Sequence, residues 1–300
     1  MSVDERDAWI ALAAVPGVGS ATFSRLLEHF GSAQATLDAF ARLPAGRTDR
    51  ELAGITASRP RAGLGRAVRR AADDRRATRL AVEALGGWIL TPTDAAFPQR
   101  LHELEEPPLV LYGSGDPAAL ERSRAVAVVG TRRPTAIGRD LAARVASRLA
   151  EAGATVVSGL AVGVDGAAHR ACLDAGLPTV AVIGSGLDQP GPAAHRSLAR
   201  RIAGQGAVVG ELAPGVRATQ GTFPRRNRII SGLARATVVI EAPARSGALI
   251  TARHALEQGR ILLVAPGRPL DRRIAGNLAL LRETPARPLV GLDEMLTDLG

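Results

Sequence analysis

One short run of the sequence carries its densest chemistry, in the segment GTFPRRNRIISGL. Three arginines and an asparagine stand side by side there: Arg225, Arg226, Asn227 and Arg228. Phe223, just upstream, offers a ring on which a base could stack. Arginine binds phosphate through two parallel hydrogen bonds and also stacks on bases. A helix that begins at Pro224 is expected to point these side chains at one site. The segment therefore predicts phosphate or nucleic-acid contact, in preference to a solvated helix.

Two further positions add to this candidate site. Ser246 and Gly247 open the next predicted helix, where a helix N-terminus can cap a phosphate. Glu241 ends the strand before that helix. It could orient Arg225 or Arg228, or it could act as a general acid or base. The orienting role is favoured because no second carboxylate or paired histidine accompanies Glu241.

The elements that must position these residues follow from the pattern between Ala125 and Val264. Short β-branched runs predict six strands: Ala125–Val129, Thr155–Val157, Thr179–Ile183, Ala207–Val209, Thr237–Ile240 and Ile261–Val264. Helical stretches lie between them, for instance Gly138–Ala152, Ala167–Ala175 and Ala248–Gln258. Strands that alternate with helices form a parallel sheet covered on both faces, because the crossover connections are right-handed. We predict an α/β fold, a Rossmann-like doubly wound and mainly parallel sheet.

Ligands of such sheets gather at the carboxyl ends of the strands. Besides Glu241, the residues found there are Gly130, Thr131, Arg132, Arg133, Ser158, Gly159, Gly184, Ser185 and Gly186. Small residues at a strand end let a phosphate approach backbone N–H groups, and the dipole of the following helix favours the anion. These positions are therefore predicted to bind phosphate together with the arginines.

Composition and spacing exclude several function classes. All 38 basic residues are arginine, so the lysine of a Walker A loop or of a pyridoxal-phosphate enzyme is missing. The turn GTRRPTAIG is not the glycine pattern of a dinucleotide-binding site, and no acid ends the second strand. The net charge of +9 favours a polyanionic partner. We expect neither a cofactor nor catalytic residues.

The histidines and the cysteine suggest no metal site. His29, His102, His169, His195 and His254 are scattered, without the spacing of metal ligands. Asp165 and His169 would share a helix face, and a capping and core-polar pair is favoured over a proton relay. Cys172 is expected to be a buried structural thiol, which fits a reducing compartment. The acidic N-terminus and the lack of an apolar run near about 18 residues predict a cytoplasmic protein without membrane insertion.

The first part of the chain, residues 1–78, is predicted to be a small all-helical domain, followed by the sheet domain over residues 79–300. Its helices are expected at Asp7–Val15, Phe23–Phe30 and Ala33–Ala41. The Pro16–Gly19 turn is a plain connector or brings glycine N–H groups to a DNA phosphate, and the connector is favoured. The arginine-rich segment Arg59–Arg79 is a solvated helix and linker or an auxiliary DNA contact, and the first is favoured.

Several long motifs resemble the DNA-processing protein A (DprA/Smf) family, in the order of that family. They are VAVVGTRRPTAIGRDLA, VVSGLAVGVDGAAHRACL, GSGLD, TFPRRNRIISGLARATVVIEAPARSGALITARHALEQGR and VAPGRPLD, and the resemblance runs from about Phe97 to about Arg282. Arg132 matches the family's arginine after the first strand, and the run that ends at Arg228 matches its R-N-R motif. Val162 departs from the pattern, since many members have a basic residue there.

The resemblance implies a Rossmann-like domain that binds and protects single-stranded DNA, forms a homodimer and loads RecA recombinase during natural transformation. It implies a sterile-alpha-motif-like N-terminal domain, and no C-terminal winged helix is expected before Gly300. Two alternatives stay open: a nucleotide-processing enzyme like the phosphoribohydrolases, with Glu241 as its acid, and a scaffold for recombination proteins without DNA affinity.

Overall fold

The computed structural model describes residues 1–56, 61–121 and 124–299. Its N-terminal helices are α1 (Val3–Ala13), α2 (Ser20–Phe30), α3 (Ala33–Arg42), α4 (Thr48–Thr56), α5 (Leu64–Asp73) and α6 (Ala77–Ala84). The three predicted helices are confirmed. The first begins earlier than expected because the Ser2 hydroxyl caps it, accepting the N–H of Glu5 at 3.2 Å.

The N-terminal helices enclose a core of their own. Phe23, Leu26, Leu37, Phe40 and Leu52 lie in it with at most 2% of their surface exposed. The turn Pro16–Gly19 joins α1 to α2, and Gly17 adopts a φ of +104°, which a residue with a Cβ rarely takes. A tight connector is therefore present. Phosphate binding by this turn stays a prediction.

The arginine-rich segment falls partly outside the described residues, at Arg59 and Pro60. Its remaining arginines lie on or next to α5 and α6, and four of them pair with acids of other helices, among them Arg76, which lies 3.6 Å from Asp7. Arg66 lies 3.1 Å from Asp49, Arg75 lies 2.5 Å from Asp38, and Arg79 lies 2.7 Å from Asp7. These pairs favour the solvated-helix interpretation, because the paired guanidinium groups are already neutralised within the protein.

The strands form a single sheet among the described residues. They are β1 (Trp88–Leu90), β2 (Leu111–Gly115), β3 (Ala125–Val129), β4 (Thr155–Ser158), β5 (Thr179–Ile183), β6 (Ala207–Gly210), β7 (Ala236–Val239), β8 (Ile261–Val264) and β9 (Arg287–Pro288). The order is β1-β2-β6-β5-β4-β3-β7-β8-β9; β1 pairs with β2 and β2 with β6 in antiparallel fashion, and all other neighbours pair in parallel.

The later helices cover both faces of this sheet. They are α7 (Gln99–His102), α8 (Ala136–Glu151), α9 (Val164–Asp174), α10 (Arg196–Gln205), α11 (Thr222–Leu233), α12 (Ala248–Glu257), α13 (Ala275–Glu283) and α14 (Leu292–Leu299). Alternate residues of β3 enter opposite cores: Val129 packs with α11 and α12, whereas Val128 packs with α8 and α9. The doubly wound, mainly parallel fold is confirmed.

All six predicted strands are present, whereas β1, β2 and β9 were not predicted. The sequence of β2, LYGSG, lacks the β-branched pattern because Gly113 must accept the ring of Trp88 from β1. A Cβ at Gly113 would lie 2.1 Å from that ring. Glycine is therefore required there by packing, and it hides the strand from a pattern search.

Direct contacts join the N-terminal helices to the sheet. Trp9 Nε1 donates to the carbonyl of Leu109 at 2.8 Å, and Arg6 contacts Asp94 at 2.5 Å and the carbonyl of Ile89 at 2.9 Å. These bonds fix one part against the other. The domain boundary at residue 78 stays a prediction.

Cys172 is fully buried on α9, as expected of a structural thiol. Its Sγ lies 3.8 Å from the carbonyl oxygen of Ala146, and burial raises the pKa of the thiol to about 12. Within the described ranges, none of the helices has the length and apolar content needed to cross a membrane.

Candidate nucleic-acid interface

An open cleft of about 550 Å³ lies at the carboxyl ends of β3 and β7, and we call it the strand-end cleft. Most of the predicted site residues line it: Gly130, Thr131, Arg132, Arg133, Phe223, Arg226, Asn227, Glu241, Ser246 and Gly247. The loops after the strands and the start of α11 bring these residues together. Parallel strands all end at this edge, which is why positions distant in sequence meet there.

Positive charge dominates the strand-end cleft. Its arginines are Arg132, Arg133, Arg226, Arg245 and Arg273, and its carboxylates are Asp165 and Glu241. Four of the five arginines are exposed, whereas both carboxylates are buried. A ligand entering from solvent therefore meets guanidinium groups first, which favours an anion.

Arg132 covers the one aromatic ring of the cleft. Its guanidinium carbon lies 5.0 Å from the centre of the Phe223 ring, a cation–π distance. The pair separates the strand-end cleft from a smaller space of about 240 Å³, which we call the side cavity. The ring predicted as a stacking surface for a base is therefore occupied by Arg132 in this structure.

Three more of the predicted residues line the side cavity, namely Gly159, Gly184 and Ser185. Arg132, Phe223 and Arg226 line both spaces. The Ser185 hydroxyl donates to the carbonyl of Gln189 at 2.7 Å, so it already holds its own loop. This cavity is built mainly of glycine and small apolar side chains.

Arg226 lies beneath the strand-end cleft, with 7% of its surface exposed. Its Nη1 donates to the carbonyl of Gly159 at 2.6 Å and to that of Val182, so it joins the ends of β4 and β5. Burial lowers the pKa of Arg226 to about 10, opposed by the nearby carboxylate of Asp165. Arg226 is thus both a structural tie and a buried positive charge at the floor of the cleft.

Asp165 is the counterpart of this charge. Its carboxylate is buried, which raises its pKa, while Arg226 and the N–H of Ala161 act in the opposite direction. The bond from the Ala161 N–H at 3.3 Å holds the loop that leads into α9. His169 bonds elsewhere, through Nδ1 to the Thr179 hydroxyl at 2.9 Å. No hydrogen bond joins Asp165 to His169 in the described structure. Both are buried polar residues, as the core-polar interpretation expects, but Asp165 does not cap α9.

Asn227 links α11 to the start of α12. Its Nδ2 donates to the carbonyl of Gly247 at 3.2 Å, and its Oδ1 accepts from Nε of Arg226 at 3.2 Å. The N–H of Ser246 donates to the carbonyl of Pro243 at 2.9 Å. The N–H of Gly247 has no acceptor among the described residues, so it stays available to a ligand.

Glu241 does not orient Arg225 or Arg228, which corrects the favoured expectation. Its carboxylate accepts from the Thr135 hydroxyl at 2.7 Å and from the Thr135 N–H at 3.1 Å. Thr135 caps α8, so Glu241 fixes the loop that carries Arg132 and Arg133. The reason is topological: β3 and β7 are neighbours, and the residues that follow them face each other.

Arg225 and Arg228 line neither space, which is a second correction. Both contact Glu211, which follows β6: Arg228 Nη2 lies 2.8 Å from its carboxylate and Arg225 Nε lies 3.4 Å from it. The side chains of Arg228 and Glu211 are 8% and 12% exposed, so this ion pair is largely buried. The arginines of the run therefore do not converge on one site.

Ser158 and Gly186 also lie outside both spaces. The Ser158 hydroxyl is buried and donates to the carbonyl of Val128 at 2.6 Å, which ties β4 to β3. The N–H of Gly186 donates to the carbonyl of Val216 at 2.8 Å. Their polar groups are used inside the protein, so they are not open to a ligand.

Metal ligands are not gathered in the described ranges: no group of three or more His, Cys, Asp or Glu side chains stands close enough to hold an ion. The chemistry available in the strand-end cleft is therefore that of guanidinium groups, amide N–H groups and the two buried carboxylates.

Two family models match the chain and together cover most of it. The model of DNA recombination-mediator protein A matches residues 88–300, and the model of the DprA-like N-terminal HHH domain matches residues 3–59. The chain belongs to the DNA recombination-mediator protein A family. The resemblance seen in the motifs is confirmed, and the helical N-terminal part matches an HHH domain of that family.

Curated relatives of this family align over long stretches. A DNA processing protein DprA of Mycobacterium tuberculosis is 40% identical over 291 residues, which is 92% of this chain and 70% of that relative. Protein Smf of Escherichia coli is 43% identical over 180 residues, which is 59% of this chain and 48% of that relative. The second alignment leaves about half of the relative unmatched.

Two solved structures of DNA processing protein A share the architecture. The Streptococcus pneumoniae protein has a TM-score of 0.78 at 29% identity and covers 99% of this chain and 98% of its own. The Helicobacter pylori protein has a TM-score of 0.65 at 29% identity, over 71% of this chain and 95% of its own. The latter structure concerns the single-stranded DNA binding mode of that protein.

Two arginines of the cleft in this family member were not predicted from the sequence, Arg245 and Arg273. Arg245 directly precedes the predicted Ser246 and follows the end of β7 by a few residues. Arg273 lies in a 3₁₀ turn beyond β8. The predicted site residues at strand ends follow β3, β4, β5 and β7, and none follows β8. The strand-end rule selects only the residues directly after a strand, and Arg273 lies well beyond Val264, so this rule does not reach it.

Proposed function

We propose that this member of the DNA recombination-mediator protein A family binds single-stranded DNA at the strand-end cleft, with little dependence on sequence. The observation that carries the proposal is the ring of exposed arginines around that cleft, with Arg226 below them. Exposed guanidinium groups bind phosphate in pairs of parallel hydrogen bonds. A chain of phosphates is the ligand that uses several such groups at once.

Backbone amides supplement these arginines. The N–H groups of Arg132 and Gly247 have no acceptor in the described part of the chain, and Gly247 directly precedes α12. The partial positive charge at a helix N-terminus adds to the attraction for a phosphate oxygen. We propose that successive phosphates lie between the loop after β3 and the start of α12.

Sequence tolerance follows from what lines the cleft. Among the described residues, Phe223 is the only aromatic side chain that lines it, and Arg132 stacks on it. Phosphate contacts carry no sequence information, whereas base contacts do. A concave cleft between loops also suits a flexible single strand better than a duplex. The single-stranded DNA binding described for the Helicobacter pylori relative supports this choice of ligand.

Further roles are proposed from the family resemblance alone. We propose that the protein protects the strand, forms a homodimer and loads RecA recombinase in the cytoplasm, as the resemblance implies. Exclusion chromatography with light scattering tests the homodimer. Strand exchange by RecA on DNA coated with a single-strand binding protein tests the loading.

We propose that the cleft has no catalytic role. Both carboxylates already hold neighbouring loops, Glu241 through Thr135 and Asp165 through the N–H of Ala161. The phosphoribohydrolase alternative would release a base from a nucleoside monophosphate. Incubation with nucleoside monophosphates, followed by chromatography for free base, separates the two functions. Free base above the level of a heat-inactivated control would contradict a purely binding role.

The binding itself is tested by titrating a labelled oligothymidine and a matched duplex at several salt concentrations. We expect tight, steeply salt-dependent binding of the single strand and weaker binding of the duplex. The variant R133Q/R245Q removes two exposed rim arginines and should lower the salt slope by about 1.4, since each phosphate contact on a single strand contributes about 0.7.

The matched control R42Q/R253Q removes two exposed arginines that lie on α3 and α12, outside both spaces. It loses the same formal charge, so any effect of net charge alone appears in both variants. Equal slopes for the two double variants, or equal affinity of the wild-type protein for the duplex and the single strand, would contradict the proposal.

A further inference from the structure

A second group of arginines lies beside the side cavity, on α9 and α10. Arg170, Arg196 and Arg200 are all exposed, and none of them has an ion-pair partner among residues 1–56, 61–121 and 124–299. Arg201, next to Arg200, differs because it lies 2.7 Å from Asp174. Unpaired arginines at an exposed surface keep their full attraction for a polyanion.

The start of α10 is fixed at the rim of the side cavity. Pro192 lines that cavity, and the 3₁₀ turn Ala193–His195 leads from it directly into Arg196. Nδ1 of His195 lies 3.0 Å from the carbonyl oxygen of Leu160, which holds this turn against the loop after β4. The backbone of Arg196 therefore begins where this turn leaves the cavity rim.

Arg170 reaches the same place from α9. A Cβ built on Gly166 would lie 2.5 Å from the His195 ring and 3.1 Å from Nη2 of Arg170. The Arg170 guanidinium and the His195 ring therefore meet over Gly166. Because Arg196 follows His195 in the chain, the backbone of Arg196 lies beside the point where Arg170 and His195 meet.

Arg200 extends this group away from the cavity. Residues four apart lie on the same face of a helix, so Arg196 and Arg200 share a face, about 6 Å apart along the axis. The other exposed residues of α10 are polar or glycine: Ser197, Arg201, Gly204 and Gln205. The exposed face of α10 therefore lacks the apolar side chains that form the centre of a protein–protein interface.

We propose that Arg170, Arg196 and Arg200 form a phosphate track, which binds the part of a single DNA strand that extends from the strand-end cleft past the side cavity. The inference rests on the proposed function, because the strand must first occupy the cleft. Arg132 and Phe223 border both spaces, and Pro192 of the side cavity leads through the turn Ala193–His195 to Arg196, which defines the proposed path of the strand. The contacts are to phosphates and add affinity without adding sequence preference.

The track predicts a dependence on strand length. Single sites on proteins that bind single strands span roughly 4 to 16 nucleotides, so an oligothymidine of about 6 nucleotides fills the cleft and one of about 24 also reaches the track. Removing Arg196 and Arg200 should leave the short strand unaffected. It should weaken the long strand by about tenfold at low salt and lower its salt slope by about 1.4.

The experiment compares the full-length wild-type protein with R196Q/R200Q and with the control R42Q/R253Q, by fluorescence anisotropy of both oligothymidines at several salt concentrations. The expected result is a loss confined to the long strand and to R196Q/R200Q. A circular dichroism melt of each variant confirms that it is folded, and exposed arginine-to-glutamine changes usually alter stability little.

Two results would overturn the track while leaving the proposed function in place. One is wild-type affinity and salt slope of R196Q/R200Q for the long strand. The other is an equal loss for both strands, which would place these arginines within the cleft site itself. A wild-type protein that binds neither strand would instead overturn the proposed function, and the track with it.

Discussion

The two sides of α11 put the same residue type to opposite uses. On one side, Arg226 lies at the floor of the strand-end cleft, beneath the exposed Arg132. On the other side, Arg225 and Arg228 contact Glu211 and line neither the cleft nor the side cavity. One side keeps positive charge open to an anionic ligand, and the other neutralises it inside the fold.

The helix period explains the division. Residues three apart on a helix share a face, whereas neighbours in sequence point about 100° apart. Arg225 and Arg228 therefore lie together, and Arg226 cannot join them. A dense run of arginines on a helix is for this reason no sign of a single phosphate site, and each position must be assigned to its face first.

The largest expected effect belongs to the neutralised side. Arg228→Ala leaves the buried carboxylate of Glu211 with only the exposed Arg225 as a partner. Removing one member of a buried ion pair costs about 3–5 kcal/mol of unfolding free energy. Chemical denaturation of the variant and the wild-type protein measures this difference. DNA affinity per folded molecule should change little.

A double replacement serves as the control for this prediction. In E211L/R228L no charge is left buried without a partner, so much of the lost stability should return. A loss below about 1 kcal/mol for Arg228→Ala would show that the pair is solvated, because exposed ion pairs contribute about that much or less. It would contradict the assignment of Arg228 to a structural role.

The next effect concerns the loop that carries Arg132. Gly163 has a φ of +91°, and a Cβ there would lie 2.4 Å from the carbonyl oxygen of Thr131. We expect Gly163→Ala to cost about 2–4 kcal/mol, from the left-handed backbone and the collision together. It should also weaken DNA binding by displacing Arg132. Thermal melts and strand titrations measure the two effects.

Gly153→Ala is the matched control for that change. Gly153 also has a positive φ, +79°, but nothing lies within 4 Å of a Cβ at this position. We expect only the backbone cost of about 1–2 kcal/mol and unchanged DNA binding. Equal effects of the two variants on DNA binding would show that the loop after β3 does not position Arg132.

A pH-dependent prediction follows from His169, behind the floor of the cleft. Burial lowers the pKa of His169 to about 3 from its ordinary value of 6.5. Below pH 6.5 the His169 side chain binds a proton in the unfolded chain but not in the folded protein. The free energy of unfolding therefore decreases as the pH falls below 6.5. The loss should reach about 2 kcal/mol at pH 5. Denaturation of the wild-type protein and His169→Gln at pH 7 and pH 5 measures it, and equal pH dependence would contradict it.

The sequence predicts the central sheet well because its signal is local. Strands β3, β5 and β8 have the predicted bounds, since each is a short apolar run rich in valine, isoleucine or leucine between helical stretches. The edge of the sheet that would hold a ligand follows from the parallel order alone. Ten of the candidate residues consequently reach the strand-end cleft: Gly130, Thr131, Arg132, Arg133, Phe223, Arg226, Asn227, Glu241, Ser246 and Gly247.

What could not be predicted are the partners of the charged groups. Glu211 accepts Arg228 only because β6 ends beside the start of α11, and Glu241 meets Thr135 only because β3 and β7 are adjacent. These neighbours are distant in sequence and depend on the strand order. Sequence spacing identifies the groups that can bind a phosphate, whereas strand order decides which of them are already occupied.

The most direct test of the account compares Arg132→Ala with Arg225→Ala. Both arginines are exposed, but Arg132 lines the strand-end cleft, whereas Arg225 lies on the side of α11 that contacts Glu211. The measurement is the equilibrium affinity of each folded variant for oligothymidine at low salt. We expect Arg132→Ala to weaken binding at least about tenfold, the loss of a charge-assisted contact of about 1.5 kcal/mol, and Arg225→Ala to stay within about twofold of the wild-type protein. The reverse order of the two variants would contradict the placement of the DNA site.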